Sequence, residues 1–365
     1  MLQQSAGWLA DRDALPTAVR AVCGYYADSG VFDYRSLQLR SRIDGVIDEL
    51  IADAFGAVEE AIAEEFDRDF VDFSYDTKLV MPAELTLGYL YRQLDETDHD
   101  EAEAVTRLVI EALIDGDMRD AINDDEFEDF EVGFDLGDGD RRRVAEVAQE
   151  TLQERVDAAF ADYPDAVREA YDWAVAVSET HQDEDSYFRD LMAAARDGEA
   201  ADVPTLDGDL TREQARERIR EDYKYADFAD PPEVFTDEER DLPYFKTQYD
   251  RVGVIYSGMV EMYREAGLPI EEGFERSIVL AIIGAQVWLD DIDDFEADVR
   301  EGQLTPVTAE YVLTDDDPAA ADAVVTLSKR YLDLAKAHAD AVDSPLTGIA
   351  TEYIYRSGDP GVLPR

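Results

Sequence analysis

The chain has 365 residues, with 88 Asp plus Glu against 33 Lys plus Arg and a formal net charge of −55. Its residues are 45% hydrophobic and 10% aromatic. That is ordinary globular usage and excludes an acidic disordered chain, which is poor in both. So acidic a surface repels phosphate backbones and anionic lipid, so neither nucleic acid nor an anionic membrane is an expected partner.

An anionic substrate would need a metal ion or a local basic pocket. Only five residues are lysines, Lys78, Lys224, Lys246, Lys329 and Lys336. An acid-rich, lysine-poor composition is expected of a halophilic protein, because molar salt shortens the Debye length to about 3 Å and screens self-repulsion. A single cysteine, Cys23, excludes an intrachain disulfide. The N-terminus lacks a basic segment followed by an apolar one, so no signal peptide and a cytoplasmic location are expected. The longest apolar stretch, 278–289, is too short to span a bilayer and reads as a buried core helix.

Helical periodicity dominates. Over 37–66 apolar residues recur at three- and four-residue spacing (Ile43, Val46, Ile47, Leu50, Ile51, Phe55, Val58, Ile62, Phe66). Further helices are predicted over 82–94, 100–114, 142–160 and 164–177, then over 249–266, 270–295, 319–341 and 345–356. Pro82, Pro164 and Pro345 stand where first helical turns begin. Residues 196–245 are rich in Asp, Glu, Gly and Pro, and predict an acidic surface insertion with one short helix near 211–223. The fold class expected is all-α, a helical bundle of one domain over 1–365 carrying that insertion. Two domains separated by it are the alternative.

One segment concentrates chemistry. The apolar helix arrives at Gly284-Ala-Gln286-Val-Trp-Leu-Asp290-Asp291-Ile-Asp293-Asp294-Phe-Glu-Ala-Asp298, and Gly302 and Pro306 follow. Residues four apart share a helical face, so Asp290, Asp294 and Asp298 form a column, with Asp291 beside Asp294. Like charges so spaced repel, and a helix C-terminus is itself partly negative. A hard cation such as Mg²⁺ would relieve both penalties.

This segment resembles the second aspartate-rich motif of the squalene/phytoene synthase family, within the class I isoprenoid synthase fold. That family carries a Gln, an Asp-x-x-x-Asp-x-x-x-Gly run and a Pro at the end of an apolar helix. Here Asp294, Asp298 and Gly302 keep the internal spacing, with Gln286 and Pro306 flanking. Gln286 to Asp294 is one residue longer than in the family, and the Asn and Arg that usually precede the Asp are absent. The family's first acidic motif has two candidates. Arg92-Gln-Leu-Asp95-Glu96 is similar to its Arg-x-x-Asp-Asp pattern, with Glu96 for an Asp. The other is Glu179-Thr-His-Gln-Asp183-Glu184-Asp185.

The resemblance implies a helical bundle around an apolar cavity and Mg²⁺-assisted departure of diphosphate from a prenyl substrate. Asp290, Asp291, Asp294 and Asp298 would face Asp95 and Glu96 across the cavity mouth as metal ligands. Gln286, Arg92, Arg300, Lys329 and Arg330 would bind substrate. The alternative is a non-catalytic helical protein, either a decayed relative of that fold or an unrelated interaction module. Asp138-Gly-Asp140 and Asp207-Gly-Asp209 hint at calcium loops but do not continue as EF-hands. The three histidines show no paired metal-ligand spacing, and no Walker loop, dinucleotide fingerprint or nucleophile elbow is present.

Overall fold

Regular backbone hydrogen bonding follows the predicted apolar periodicity along most of the chain. The computed structural model describes residues 2–12, 14–31, 34–124, 127, 129–137, 139–197 and 210–365. Asp138 and the Asp207-Gly-Asp209 run lie outside the described residues. Helix accounts for 78% of the structure, and the described strands form one two-stranded sheet, so the fold is an all-α bundle.

In chain order the first helices are α1 (Leu2–Ala10), α2 (Thr17–Ser29) and α3 (Tyr34–Glu65). After strand β1 (Phe73–Tyr75) come α4 (Met81–Gln93) and α5 (His99–Asp124). Strand β2 (Phe130–Val132) precedes α6 (Asp140–Phe160) and α7 (Asp165–Asp197). Three short helices follow, α8 (Arg212–Arg218), α9 (Asp237–Arg240) and α10 (Phe245–Gln248), then α11 (Val254–Glu265) and α12 (Glu272–Ala285). The chain ends with α13 (Asp291–Asp293), α14 (Phe295–Glu301), α15 (Pro306–Leu313), α16 (Asp317–Ala341) and α17 (Pro345–Ser357). Pro82, Pro306 and Pro345 sit in first turns, where their missing N–H has no intrahelical partner to lose.

The chain divides into two units, each built from separate stretches of sequence. The first comprises Met1–Asp33, Ala176–Ser257 and Glu271–Arg365. At its centre α12 lies along α16. Ile278, Val279, Leu280 and Ile283 of α12 are buried, as are Val324, Leu327, Tyr331 and Leu332 of α16. Each such side chain contributes about 1.5–3 kcal/mol when fully buried. Gly284 permits the close approach, because a Cβ there would lie 2.8 Å from Leu332 Cδ2 and 3.2 Å from Tyr331 Cβ. On the same bundle α2 packs against α17, where Gly348 faces the ring of Tyr25.

Residues 210–245 differ from the surface insertion read from composition. Thr211 and Thr236 begin α8 and α9 with capping boxes. Between and beyond them Ile219, Tyr223, Phe235, Leu242, Tyr244 and Phe245 are buried. Phe235 meets Phe245 edge-on at 5.0 Å, and Phe245 stacks with Tyr249 at 5.8 Å. The acidic residues solvate one side of the segment while its aromatics build core on the other.

The second unit comprises Tyr34–Val175 and Gly258–Ile270. Here α3, α4, α5 and α6 pack together, and β1 pairs antiparallel with β2, Phe73 opposite Val132 and Tyr75 opposite Phe130. Three-residue strands are too short for alternation to show in sequence. Phe73 meets Phe55 of α3 edge-on at 5.5 Å, which seats the hairpin. Buried Tyr263 donates to Thr106 Oγ1 at 2.9 Å. Among the described residues no helix is long and apolar enough to cross a membrane.

Candidate functional site

Among the described residues of the first unit three π-turns occur, at Ile219–Lys224, Tyr249–Gly253 and Gln286–Asp290. In each the amide of residue i+5 returns to the carbonyl of residue i: Tyr225 to Arg220, Val254 to Tyr249, and Asp291 to Gln286. Such turns are rare in helical proteins and concentrate at functional sites. The three contribute Tyr223, Arg251 and the Gln286–Asp291 pair to one ionic cluster.

Arg251 is the hub. Its Nη1 lies 3.8 Å from Asp291 Oδ1. Burial opposes its charge, but Asp291, Tyr223, Asp185 and Asp298 more than offset this and raise its pKa above the usual arginine value. Asp291 is only 3% exposed. Burial pushes its pKa up to about 7 against the opposing pull of Arg251 and Gln286. Gln286 Nε2 donates to Asp291 Oδ1 at 3.4 Å, and Asp291 Oδ2 is buried without a hydrogen-bond partner. Burial and neighbouring Asp294 lift Asp298 to about 6, with Arg251 and Thr305 opposing.

Helix α7 supplies another wall. The run 179–185 lies inside a helix that extends well past the predicted 164–177: α7 continues through it to Asp197, because His181, Phe188, Leu191 and Met192 keep a buried stripe. Burial, then Arg251 and Lys246, push His181 down to about 4, so the imidazole is neutral at pH 7. Its Nδ1 is buried and unpartnered. Asp185 is exposed and places its charge at the rim, while Glu184 lies 3.9 Å from Lys246. Tyr223 donates to the Leu304 carbonyl at 2.7 Å and accepts from Gln248 Nε2 at 3.5 Å, and Gln248 Oε1 is buried without a partner.

Three buried polar atoms of this unit lack partners: His181 Nδ1, Gln248 Oε1 and Asp291 Oδ2. Leaving such an atom unsatisfied costs about 1–3 kcal/mol. Each such atom is a place for a ligand group or an ordered water. The donor chemistry, carboxylate and amide oxygens, fits a hard cation. Among the described residues, however, no three His, Cys, Asp or Glu side chains are grouped closely enough to hold a metal as they stand. Arg251 provides the neutralising charge in this arrangement.

The residues singled out in the sequence are distributed unevenly. Asp291 and Asp298 join the cluster; Asp290, Asp293 and Asp294 are exposed. The column of Asp290, Asp294 and Asp298 requires one continuous α-helix. The helix breaks at Asp294 (φ −88°, ψ 1°), although the Asp294 amide still returns to the Asp290 carbonyl and the Asp298 amide to the Asp294 carbonyl, both at 2.9 Å. Gln286 touches Asp291. Arg300 and Arg330 are exposed, and Lys329 pairs with Asp333 at 2.7 Å. Arg92, Asp95 and Glu96 belong to the second unit, where Asp95 and Glu96 are exposed at the turn after α4. Sequence reading did not reach Arg251, Tyr223 or Gln248. A single arginine on a helical stretch carries no spacing signal, and the two π-turns that present Arg251 and Tyr223 leave no compositional mark. No protein-family model matches the chain, and no curated protein matches it.

Proposed function

We propose that the Arg251 cluster receives a prenyl diphosphate together with Mg²⁺, making the chain a Mg²⁺-dependent prenyl-diphosphate-utilising transferase or synthase of class I isoprenoid synthase type. The observation that carries this reading is the grouping of Asp185, Asp291 and Asp298, from α7 and from the end of the apolar helix, about Arg251, with Asp291 Oδ2 buried and unpartnered. An all-helical fold is compatible with it. The π-turn also accounts for the one-residue excess between Gln286 and Asp294, since an i+5 turn holds one residue more than an α-turn.

On this reading the first acidic motif is the 179–185 run rather than Asp95 and Glu96. Asp185, Asp291 and Asp298 would have to draw together to hold the metal, since as they stand they are not grouped for it. Bound Mg²⁺ would supply positive charge to the departing diphosphate. Arg251 neutralises the carboxylates of the free protein and is the group placed to grip diphosphate oxygens. Neutral His181 and the rings of Phe188 and Tyr223, 4.9 Å apart, present little charge to an allylic cation and help exclude water. The acidic, lysine-poor surface suits this chemistry to concentrated salt.

A second reading has its own observation. Arg251 already offsets part of the acids' charge without a metal, as in a non-catalytic helical protein. Turnover of farnesyl and geranylgeranyl diphosphate in molar KCl, with and without Mg²⁺, separates the two. Mg²⁺-dependent diphosphate release that disappears in Asp291→Asn supports the enzyme. Folded protein that neither releases diphosphate nor binds either substrate in the presence of Mg²⁺ refutes it and leaves the second reading.

A further inference from the structure

Among the described residues, the carboxylates about Arg251 are not grouped closely enough to hold a metal. A ligand that engages them together therefore requires one wall to move. We propose that the moving wall is the α13–α14 segment, residues 291–301, and that residues 358–364 are the strap that restrains it. The inference rests on the Arg251 cluster being the binding site of the proposed function.

Backbone geometry singles out this wall. The wall from α7 belongs to one continuous helix of 33 residues. By contrast α13 and α14 are three and seven residues long. The wide turn Gln286–Asp290 precedes α13, Asp294 sits between the two at φ −88° and ψ 1°, and Gly302 ends α14 at φ 73°. Hinge motion is absorbed at a few such element ends, so short pieces between them turn as bodies. The segment also gains by moving, because Asp291 is buried with Oδ2 unpartnered and that is costly.

The strap meets the segment at three places. Trp288, 4% exposed inside the wide turn, donates from Nε1 to the Tyr355 carbonyl at 2.9 Å and stacks on the Tyr355 ring at 5.7 Å. Gly358 lies against that indole, where a Cβ would come 2.3 Å from Nε1. The turn Pro360–Val362, shaped by the Gly361 amide donating to Asp359 Oδ1 at 2.9 Å, packs on α13. The Pro364 carbonyl accepts from the Tyr311 hydroxyl at 2.9 Å, and the Tyr311 ring meets Phe295, the first residue of α14, at 4.6 Å. Leu363 is buried and anchors the stretch. A further tie, from Arg196 to the Val299 carbonyl, joins α14 to α7.

Hydrogen–deuterium exchange on the full chain in molar KCl tests both parts. In EDTA, amides of 291–301 are expected to exchange about tenfold faster in Gly358→Ala, whose new Cβ displaces the strap from Trp288. Tyr311→Phe keeps the ring on Phe295 but releases Pro364, and should speed them about threefold. Exchange in α12 and α16 is expected to stay at the wild-type rate in both variants. Wild-type rates over 291–301 in both, or acceleration spread equally through α12 and α16, overturn the strap. In wild type, Mg²⁺ with inorganic diphosphate is expected to slow exchange over 291–301. Protection about Arg251 that leaves 291–301 unchanged overturns the moving wall. Protection at no position overturns the proposed function instead, and the two variants still decide the strap.

Discussion

Replacing Asp291 by Asn should stabilise the free protein, and more so as the pH rises. Asparagine keeps the shape and the contact with Gln286 but removes a charge that burial disfavours. The carboxyl titrates at an ordinary 3.8 when unfolded and at about 7 when folded. Between those values the folded state binds the proton that the unfolded state has released, so stability falls as pH rises through that window and the penalty is complete above the folded value. At 1.36 kcal/mol per unit, the penalty is roughly 1.5 kcal/mol at about pH 5 and roughly 4 kcal/mol at about pH 8. These figures are net of the attraction of Arg251. The advantage of Asp291→Asn over wild type should therefore grow by roughly 2–3 kcal/mol between the two conditions. Urea unfolding of both proteins in molar KCl with EDTA measures it. Taking the difference between them cancels the other carboxylates. An advantage that is equal at both pH values, or a variant less stable at the higher one, would refute the burial argument for Asp291.

Four further outcomes are expected. Gly348→Ala should lose about 1–2 kcal/mol in thermal unfolding, because overpacking outweighs the helix-propensity gain. The new Cβ would sit 2.3 Å from Tyr25 Cε2, a ring anchored by its hydroxyl on Asp340 at 2.6 Å. Gly7→Ala, where the nearest atom is Ala27 Cβ at 3.6 Å, should instead gain about 0.5–1 kcal/mol by the same measurement. Tyr223→Phe should cost about 1–2 kcal/mol, since it strands the buried Leu304 carbonyl that the hydroxyl now serves. With a net charge of −55, the unfolding temperature should rise steadily from dilute buffer to molar KCl, and a flat profile would contradict the self-repulsion argument.

Most of the helices were legible because their apolar residues keep one face. The predicted spans 37–66, 142–160, 319–341 and 345–356 correspond to α3, α6, α16 and α17 within a few residues. Gly284 sat visibly inside an apolar run, and its meaning as a close approach to α16 needed the partner helix. The second half of α7 escaped because Glu179, Glu184 and Asp185 mask the spacing of His181, Phe188 and Leu191. The aromatics of 210–245 escaped for the same reason. At the candidate site, the end of the apolar helix was readable from its dense carboxylates. Which carboxylates turn inward was not, because that depends on where backbone hydrogen bonding lengthens from i+4 to i+5, and residue identity does not announce it.

Those widened turns also decide where the chain can change length. In a regular helix, losing one residue swings everything downstream by about 100° and draws it back about 1.5 Å. Within Gln286–Asp290 the loss of one residue can instead be absorbed by tightening to an α-turn, which leaves Asp291 stacked on Gln286 and Asp298 still two turns beyond it. The same deletion a turn earlier, in α12, would rotate Gly284 off Tyr331 and Leu332. A deletion scan through the apolar helix would thus find a tolerant window at the carboxylates and intolerance just before them, the reverse of what composition suggests for a core helix running out into an acidic surface.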